Sequence, residues 1–207
     1  MQPGVATRHP ISSPCCAQWA LSLLMLTVND LRPWQAKAVA ILQANPYQLL
    51  GAQPGAGKTI VTLTALAAAP QRTLLIGPRV ILDSVWRQEA LRWAHTRHLT
   101  FDLAHQHTGD ARSRLWFEGQ GAIATCTPDL VVRLVDEVHQ RHQLPAARLV
   151  IDESQMFKNP FAVRTQALQA LAEILPTWLL SGTPVPNGPL DAWSPGFLLS
   201  QRGEFWQ

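Results

Sequence analysis

Short apolar runs alternate along this chain with stretches whose apolar residues recur every third or fourth position. Residues 31–45 (LRPWQAKAVAILQAN) carry Trp34, Ala38, Ile41 and Leu42 at helical spacing, and Pro46 stops that helix. YQLLGA (47–52) is a strand candidate, followed by a helix over TIVTLTALAAA (59–69) that Pro70 ends. RTLLIG (72–77) is a second strand, and ILDSVWRQEALRWA (81–94) an amphipathic helix with Ile81, Val85 and Leu91 on its apolar face. LTFDLAH (99–105) and GAIATC (121–126) are further strands, and PDLVVRLVDEVHQ (128–140) is helical. ARLVID (147–152), preceded by Pro145, is strongly strand-like. The next helix, 162–175, carries Val163, Ala167, Ala170, Leu171 and Ile174, and TWLLSG (177–182) is a last strand. Strands this apolar, separated by helices, predict an α/β fold: βαβ units building a parallel sheet with helices on both faces.

Composition narrows the class. With 207 residues, 47% hydrophobic and 15% charged, the chain can bury a real core, which excludes wholesale disorder and suits one domain. The net charge of +3 permits nucleic-acid contact without demanding it. Cys15, Cys16 and Cys126 make no disulfide framework, so a reducing, cytoplasmic setting is expected. The apolar run from Cys15 to Val28 is too short to span a bilayer and is broken by Gln18, Ser22 and Thr27. We expect residues 1–28 to be a weakly ordered extension, with Met25 as the working start, residues 29–200 to form the domain, and 201–207 a stub.

Two segments carry chemistry. Ala52–Thr59 (AQPGAGKT) lies between a predicted strand and a predicted helix, the setting a phosphate-binding loop requires. Gly55, Ala56 and Gly57 would turn backbone N–H groups onto phosphate oxygens, and the helix start would add its positive end. Lys58 would reach the β- and γ-phosphates of ATP, and Thr59 would offer a hydroxyl to Mg2+. The strand 148–151 ends in Asp152 and Glu153, beyond the carboxyl end where open α/β sheets bind ligands. Asp152 suits Mg2+ coordination, and Glu153 suits polarisation of the attacking water.

Taken in order, PGAGKT, VIDESQMFKN and LLSGTPVPNGPLDAW resemble motifs I, II and III of superfamily 2 helicase-like ATPases. The Swi/Snf-related branch, with its short phage and prophage members, is the most similar. The resemblance runs over about residues 31–200 and implies the ATP-binding, RecA-like lobe of a P-loop NTPase. It implies that Gln35, in LRPWQ, reads the adenine edge with Trp34 beside it. It also implies that Pro78 and Arg79, with Thr127 of IATCTPDLV, lie against a nucleic-acid backbone, double-stranded DNA being the expected partner. Ser181, Gly182 and Thr183 would couple the nucleotide state to the grip on DNA.

Departures from the family pattern set further expectations. Ser154-Gln155 stands where relatives have Ala followed by His or Asp, and Gln155 can hydrogen-bond but cannot titrate. The family places ATP between two lobes, the second of which supplies arginine fingers worth roughly 10³–10⁵ in rate. This chain stops at GEFWQ, so slow or absent hydrolysis without a second lobe in trans is expected. His95, His98, His105 and His107 are expected at the surface rather than on zinc, and Trp86 and Trp93 in packing. Arg72, Arg79, Arg87, Arg92 and Arg97 are candidates for a basic rim, with solvated helix faces the commoner outcome. Two other functions stay open: a non-catalytic nucleotide- or DNA-binding remnant, and an unrelated P-loop kinase or AAA-type enzyme.

Overall fold

Six strands, all parallel, form one sheet in the order β1-β6-β5-β2-β4-β3. They are β1 Gln48–Gly51, β2 Thr73–Ile76, β3 Phe101–Asp102, β4 Ile123–Cys126, β5 Arg148–Ile151 and β6 Thr177–Ser181. The computed structural model describes residues 25–69, 71–182, 196, 198 and 199. Helices α1 (Pro33–Ala44), α2 (Lys58–Ala67) and α3 (79–92) cover one face of the sheet. Helices α4 (Gly109–Phe117), α5 (Val131–Arg141) and α6 (Val163–Ala172) cover the other. No described helix is long and apolar enough to cross a membrane.

Two cores explain why the inner strands are mostly apolar, with Thr125 a buried exception in β4. Leu74, Ile76, Leu149, Ile151 and Leu179 point to the face holding Trp116, Leu134 and Leu168. Their neighbours Leu75, Val150, Trp178 and Leu180 point to the opposite face, with Leu42, Leu63, Leu82 and Trp86. Side chains alternate along a strand, so burial on both faces favours apolar residues at every position. Pairing registers Gly51 with Ser181 and Ile76 with Ile151, which levels the carboxyl ends of the strands along one edge.

Four expectations need correction. Helix α3 buries Leu82, Trp86 and Ala90, with Ile81 half-buried against the same core, while Val85 and Leu91 are 41% and 56% exposed. Its middle, Leu82–Trp86, is a π turn, which shifts the phase of a 3.6-residue pattern. The apolar face assigned to 162–175 is also displaced: α6 buries Leu168 and Leu171, while Val163 and Ile174 are exposed. The segment 99–105 is strand only at Phe101–Asp102, and Ala104–Gln106 is a 3-10 turn that carries His105 inward. Helix α4 was not anticipated; its mean hydropathy is low, and Ser113, Trp116 and Phe117 are its buried residues.

Arg72 is an internal clamp rather than a rim cation. Its guanidinium donates to the carbonyls of Pro145, Gly121 and Leu115 and pairs with Asp102 at 2.7 Å. Within the expected extension, Leu26 bridges to Trp93, and Ala94 N–H donates to Leu26 O (2.8 Å). Residues 1–24 and the stub 201–207 lie outside the described residues.

Candidate nucleotide and nucleic-acid site

The sequence motifs converge on the levelled edge of the sheet. The phosphate loop follows β1, Ser181 ends β6 beside it, and Asp152 follows β5 next along. Ala52 N–H donates to Ser181 O (3.1 Å) and Asp152 N–H to Ile76 O (2.7 Å), so backbone pairing extends just past the strands and holds these residues in line.

In the loop, Gly55 and Gly57 take φ of +76° and +97°, values that favour glycine. A Cβ on Gly57 would collide with the Gln35 amide nitrogen, so this position excludes a side chain on two counts. Gln35 sits behind the loop: Nε2 donates to Ala56 O (3.0 Å), and Oε1 accepts from Arg32 N–H (2.8 Å). Its amide therefore supports the loop and the start of α1, which is where the structure places the residue expected to read adenine.

Lys58 is 9% exposed, and its ammonium donates to the Ala52 carbonyl at 2.9 Å. A neutral carbonyl satisfies one N–H without neutralising the ammonium, whose charge also acts on Asp152, and this suits an incoming anion. Pro54, Gly55, Gly57, Lys58 and Thr59 line a cavity of about 330 Å³ together with Asp152 and Glu153. Ile81, Val85, Glu89 and Arg92 of α3 form its far wall. The apolar residues that the helical pattern put in the core thus face the candidate ligand instead.

Asp152 is 5% exposed. Its Oδ2 accepts from Trp86 Nε1–H (2.8 Å) and its Oδ1 from Glu153 N–H (3.0 Å). Burial pushes its carboxyl above the ordinary carboxylate range; the Trp86 N–H works against that shift, and the Glu153 charge adds to it. A desolvated carboxyl at the cavity floor, with the Thr59 hydroxyl in the same lining, fits a divalent cation that would restore the ionised form. No group of three His, Cys, Asp or Glu among the described residues forms a protein-only metal cage.

Glu153 has φ +54°, a left-handed backbone that costs a non-glycine residue about 1–2 kcal/mol. Its Oε2 accepts from Gln155 Nε2, and Gln155 Oε1 accepts from Ser181 Oγ (3.1 Å). The amide bridges the acidic motif and the end of β6. Gly182 lies under the Pro54 ring, where a Cβ would come within 3.3 Å. Thr183 lies outside the described residues.

Beyond β2 and β4, Pro78, Arg79 and Thr127 line a second groove of about 390 Å³, with His105 and Arg112. Arg79 Nε lies 3.6 Å from Asp83. Asp83 also accepts from Gln106 and His105 (2.7 Å each), and these donors hold its carboxyl below the ordinary range. His105, expected at the surface, is fully buried at its side chain and joins Asp83 to Thr125. His95 is also partly buried; its Nε2 meets Thr64 Oγ1 (2.9 Å), and burial lowers its pKa.

Sequence reasoning missed three participants: Trp86 as donor to Asp152, Ile81 and Val85 as cavity wall, and Asp83–His105 behind Arg79. All three hang on α3 and its π turn, for which the sequence carried no signal.

Comparison with known proteins agrees with this geometry. The chain is 30% identical over 184 residues to p41 of Acyrthosiphon pisum secondary endosymbiont phage 1, covering 82% of this chain and 39% of p41. It is 24% identical over 181 residues to the Arabidopsis thaliana protein named "Probable ATP-dependent DNA helicase CHR12", covering 82% of this chain but 16% of that protein. The Sulfolobus solfataricus SWI2/SNF2 ATPase core in complex with dsDNA superposes with a TM-score of 0.66 at 26% identity. That match covers 84% of this chain and 36% of the Sulfolobus chain, so this chain spans well under half of each of these relatives. The model of the SNF2-related domain matches residues 34–200, and the chain belongs to that family.

Proposed function

We propose that this chain is the ATP-binding lobe of a DNA-dependent ATPase that translocates on duplex DNA. One observation carries this reading: the phosphate loop, the buried Asp152 and the Gln155 bridge share one sheet edge with the groove of Pro78, Arg79 and Thr127.

In the proposed mechanism, the N–H groups of Gly55, Ala56 and Gly57 receive the phosphates, and the Lys58 ammonium exchanges the Ala52 carbonyl for a phosphate oxygen. Thr59 and Asp152 would hold Mg2+, which would supply Lewis-acid stabilisation of charge on the phosphates. Glu153 orients the attacking water and accepts its proton. Gln155 passes the position of Glu153 to Ser181 at the end of β6. A second lobe, joined in trans or as part of a longer protein, would supply the arginine charge for efficient turnover.

Binding without turnover by this lobe alone has a specific observation in its favour. Arg92, the one arginine lining the nucleotide cavity among the described residues, is engaged by Glu89 at 2.9 Å.

Calorimetric titration with Mg-ATP, followed by phosphate release with and without duplex DNA and a supplied second lobe, tests the proposal. Wild type should bind Mg-ATP, and Lys58→Ala should lose roughly 10–100-fold in affinity for want of one charge-assisted contact. Absence of DNA stimulation with the second lobe present would remove the motor function and leave the binding module.

A further inference from the structure

We propose that Arg112 is a backbone-phosphate contact of the DNA groove, and that α4 is the groove's outer wall. This rests on the DNA-binding part of the proposed function and extends it to a residue that the sequence motifs do not include.

Arg112 lies on α4, faces the groove beyond β2 and β4, and is held from two sides. Its Nε donates to His107 O at 2.7 Å. Its guanidinium carbon stands 5.9 Å from the centroid of the Trp116 ring. Trp116 is itself fully buried and anchored by Nε1–H to Thr125 O (3.0 Å). A ring within cation–π reach and a carbonyl that accepts from Nε restrain the guanidinium. Its two terminal nitrogens are the pair suited to the oxygens of a phosphodiester.

The charges around the groove leave Arg112 in surplus. Asp83 is engaged by Arg79, Gln106 and His105, and Asp129 lies 3.9 Å from Arg164. None of the ion pairs found among the described residues includes Arg112.

Position decides which phosphate is meant. The groove's lining shares no residue with the nucleotide cavity, whose far wall is Ile81, Val85, Glu89 and Arg92 of α3, so a second phosphate-bearing ligand is meant. The occupant is the sugar–phosphate backbone of a nucleic acid.

The test is fluorescence anisotropy of the full chain with a labelled 20-base-pair duplex between 50 and 200 mM KCl, each protein first checked for an intact thermal transition. Arg112→Ala should weaken binding about 5–10-fold and reduce the slope of log affinity against log salt by about 0.9, the value of one lost phosphate contact. Arg112→Met keeps the aliphatic stem over Trp116 and should show the same loss if the alanine variant is unstable. Arg114→Ala, on the same helix but outside the groove lining, should retain the wild-type slope. A purely structural arginine would lower Tm and leave the slope unchanged. If wild type binds duplex and both Arg112 variants match it, this proposal falls while the DNA reading stands. If wild type fails to bind duplex even at 50 mM KCl, both fall together.

Discussion

Trp86 and Asp152, 66 residues apart, are joined by a buried hydrogen bond of 2.8 Å from the indole N–H to Oδ2. The bond ties the middle of α3 to the end of β5, so the candidate Mg2+ ligand is oriented by a residue that itself touches no ligand. Its donor counters the penalty that burial imposes on the Asp152 charge.

Removing that donor should be felt in both stability and binding. Trp86→Phe deletes a hydrogen bond to a buried charged group, worth about 1.5–3 kcal/mol, and should lower Tm by about 4–10 °C. Without the indole donor the Asp152 carboxyl rises further, so Mg-ATP affinity should fall more at pH 6 than at pH 8. Titrations at the two pH values check this, and equal losses at both would refute the link.

Asp152 itself predicts an inverted pH response. Its folded-state pKa lies above the ordinary value of 3.8, so the folded protein holds this proton more tightly than the unfolded chain. The stability it contributes is therefore present near pH 4 and is lost as pH rises through the raised value. Asp152→Asn removes this dependence, so its Tm relative to wild type should climb from pH 4 to pH 7 in the absence of Mg2+. Melts by circular dichroism at stepped pH measure the difference, and a flat or falling trend contradicts the assignment.

Gln155 links Glu153 to Ser181, and its removal should separate turnover from binding. We expect Gln155→Ala to keep Mg-ATP affinity within about threefold while DNA-stimulated phosphate release, with a second lobe present, falls about tenfold. That factor corresponds to one lost hydrogen bond to a charged group at about 1.4 kcal/mol. An equal loss of affinity and rate would place Gln155 in nucleotide binding rather than coupling.

Arg72 supports the opposite end of the sheet. Its pairing with Asp102 and its bonds to three carbonyls hold loops from β4, α4 and the segment before β5. Arg72→Ala leaves Asp102 without its cation in a half-buried setting and should cost about 3–5 kcal/mol. Thermal melts should show the loss, with the Mg-ATP and DNA affinities of the remaining folded protein unchanged.

Much of the site was legible because its chemistry is local. The strand–loop–helix setting of Gly55, Gly57, Lys58 and Thr59 and the strand-terminal Asp152-Glu153 are short, contiguous patterns. The inner strands were legible too, since burial on both faces leaves few polar positions to obscure them. Legibility ended where two elements share a task. Ile81 and Val85 match a core-facing helical period, yet the π turn rotates Leu82 and Trp86 inward and leaves Ile81 and Val85 on the cavity wall. Nor does any feature of 99–105 mark the 3-10 turn that delivers His105 to Asp83 and Thr125.

By itself the sequence determined most of the order of strands and helices, α4 excepted, together with the candidate phosphate loop and acidic pair, all set by periodicity and neighbouring residue types. Tertiary structure alone decided the strand order that places β5 between β6 and β2, and with it which chemistry meets which. Parallel pairing brings together residues more than a hundred positions apart, such as Gly51 and Ser181. Long-range contacts then select Trp86 as the partner of Asp152 and Ser181 as a partner of Gln155, because desolvation drives a buried charge or amide to find a donor or acceptor wherever packing supplies one.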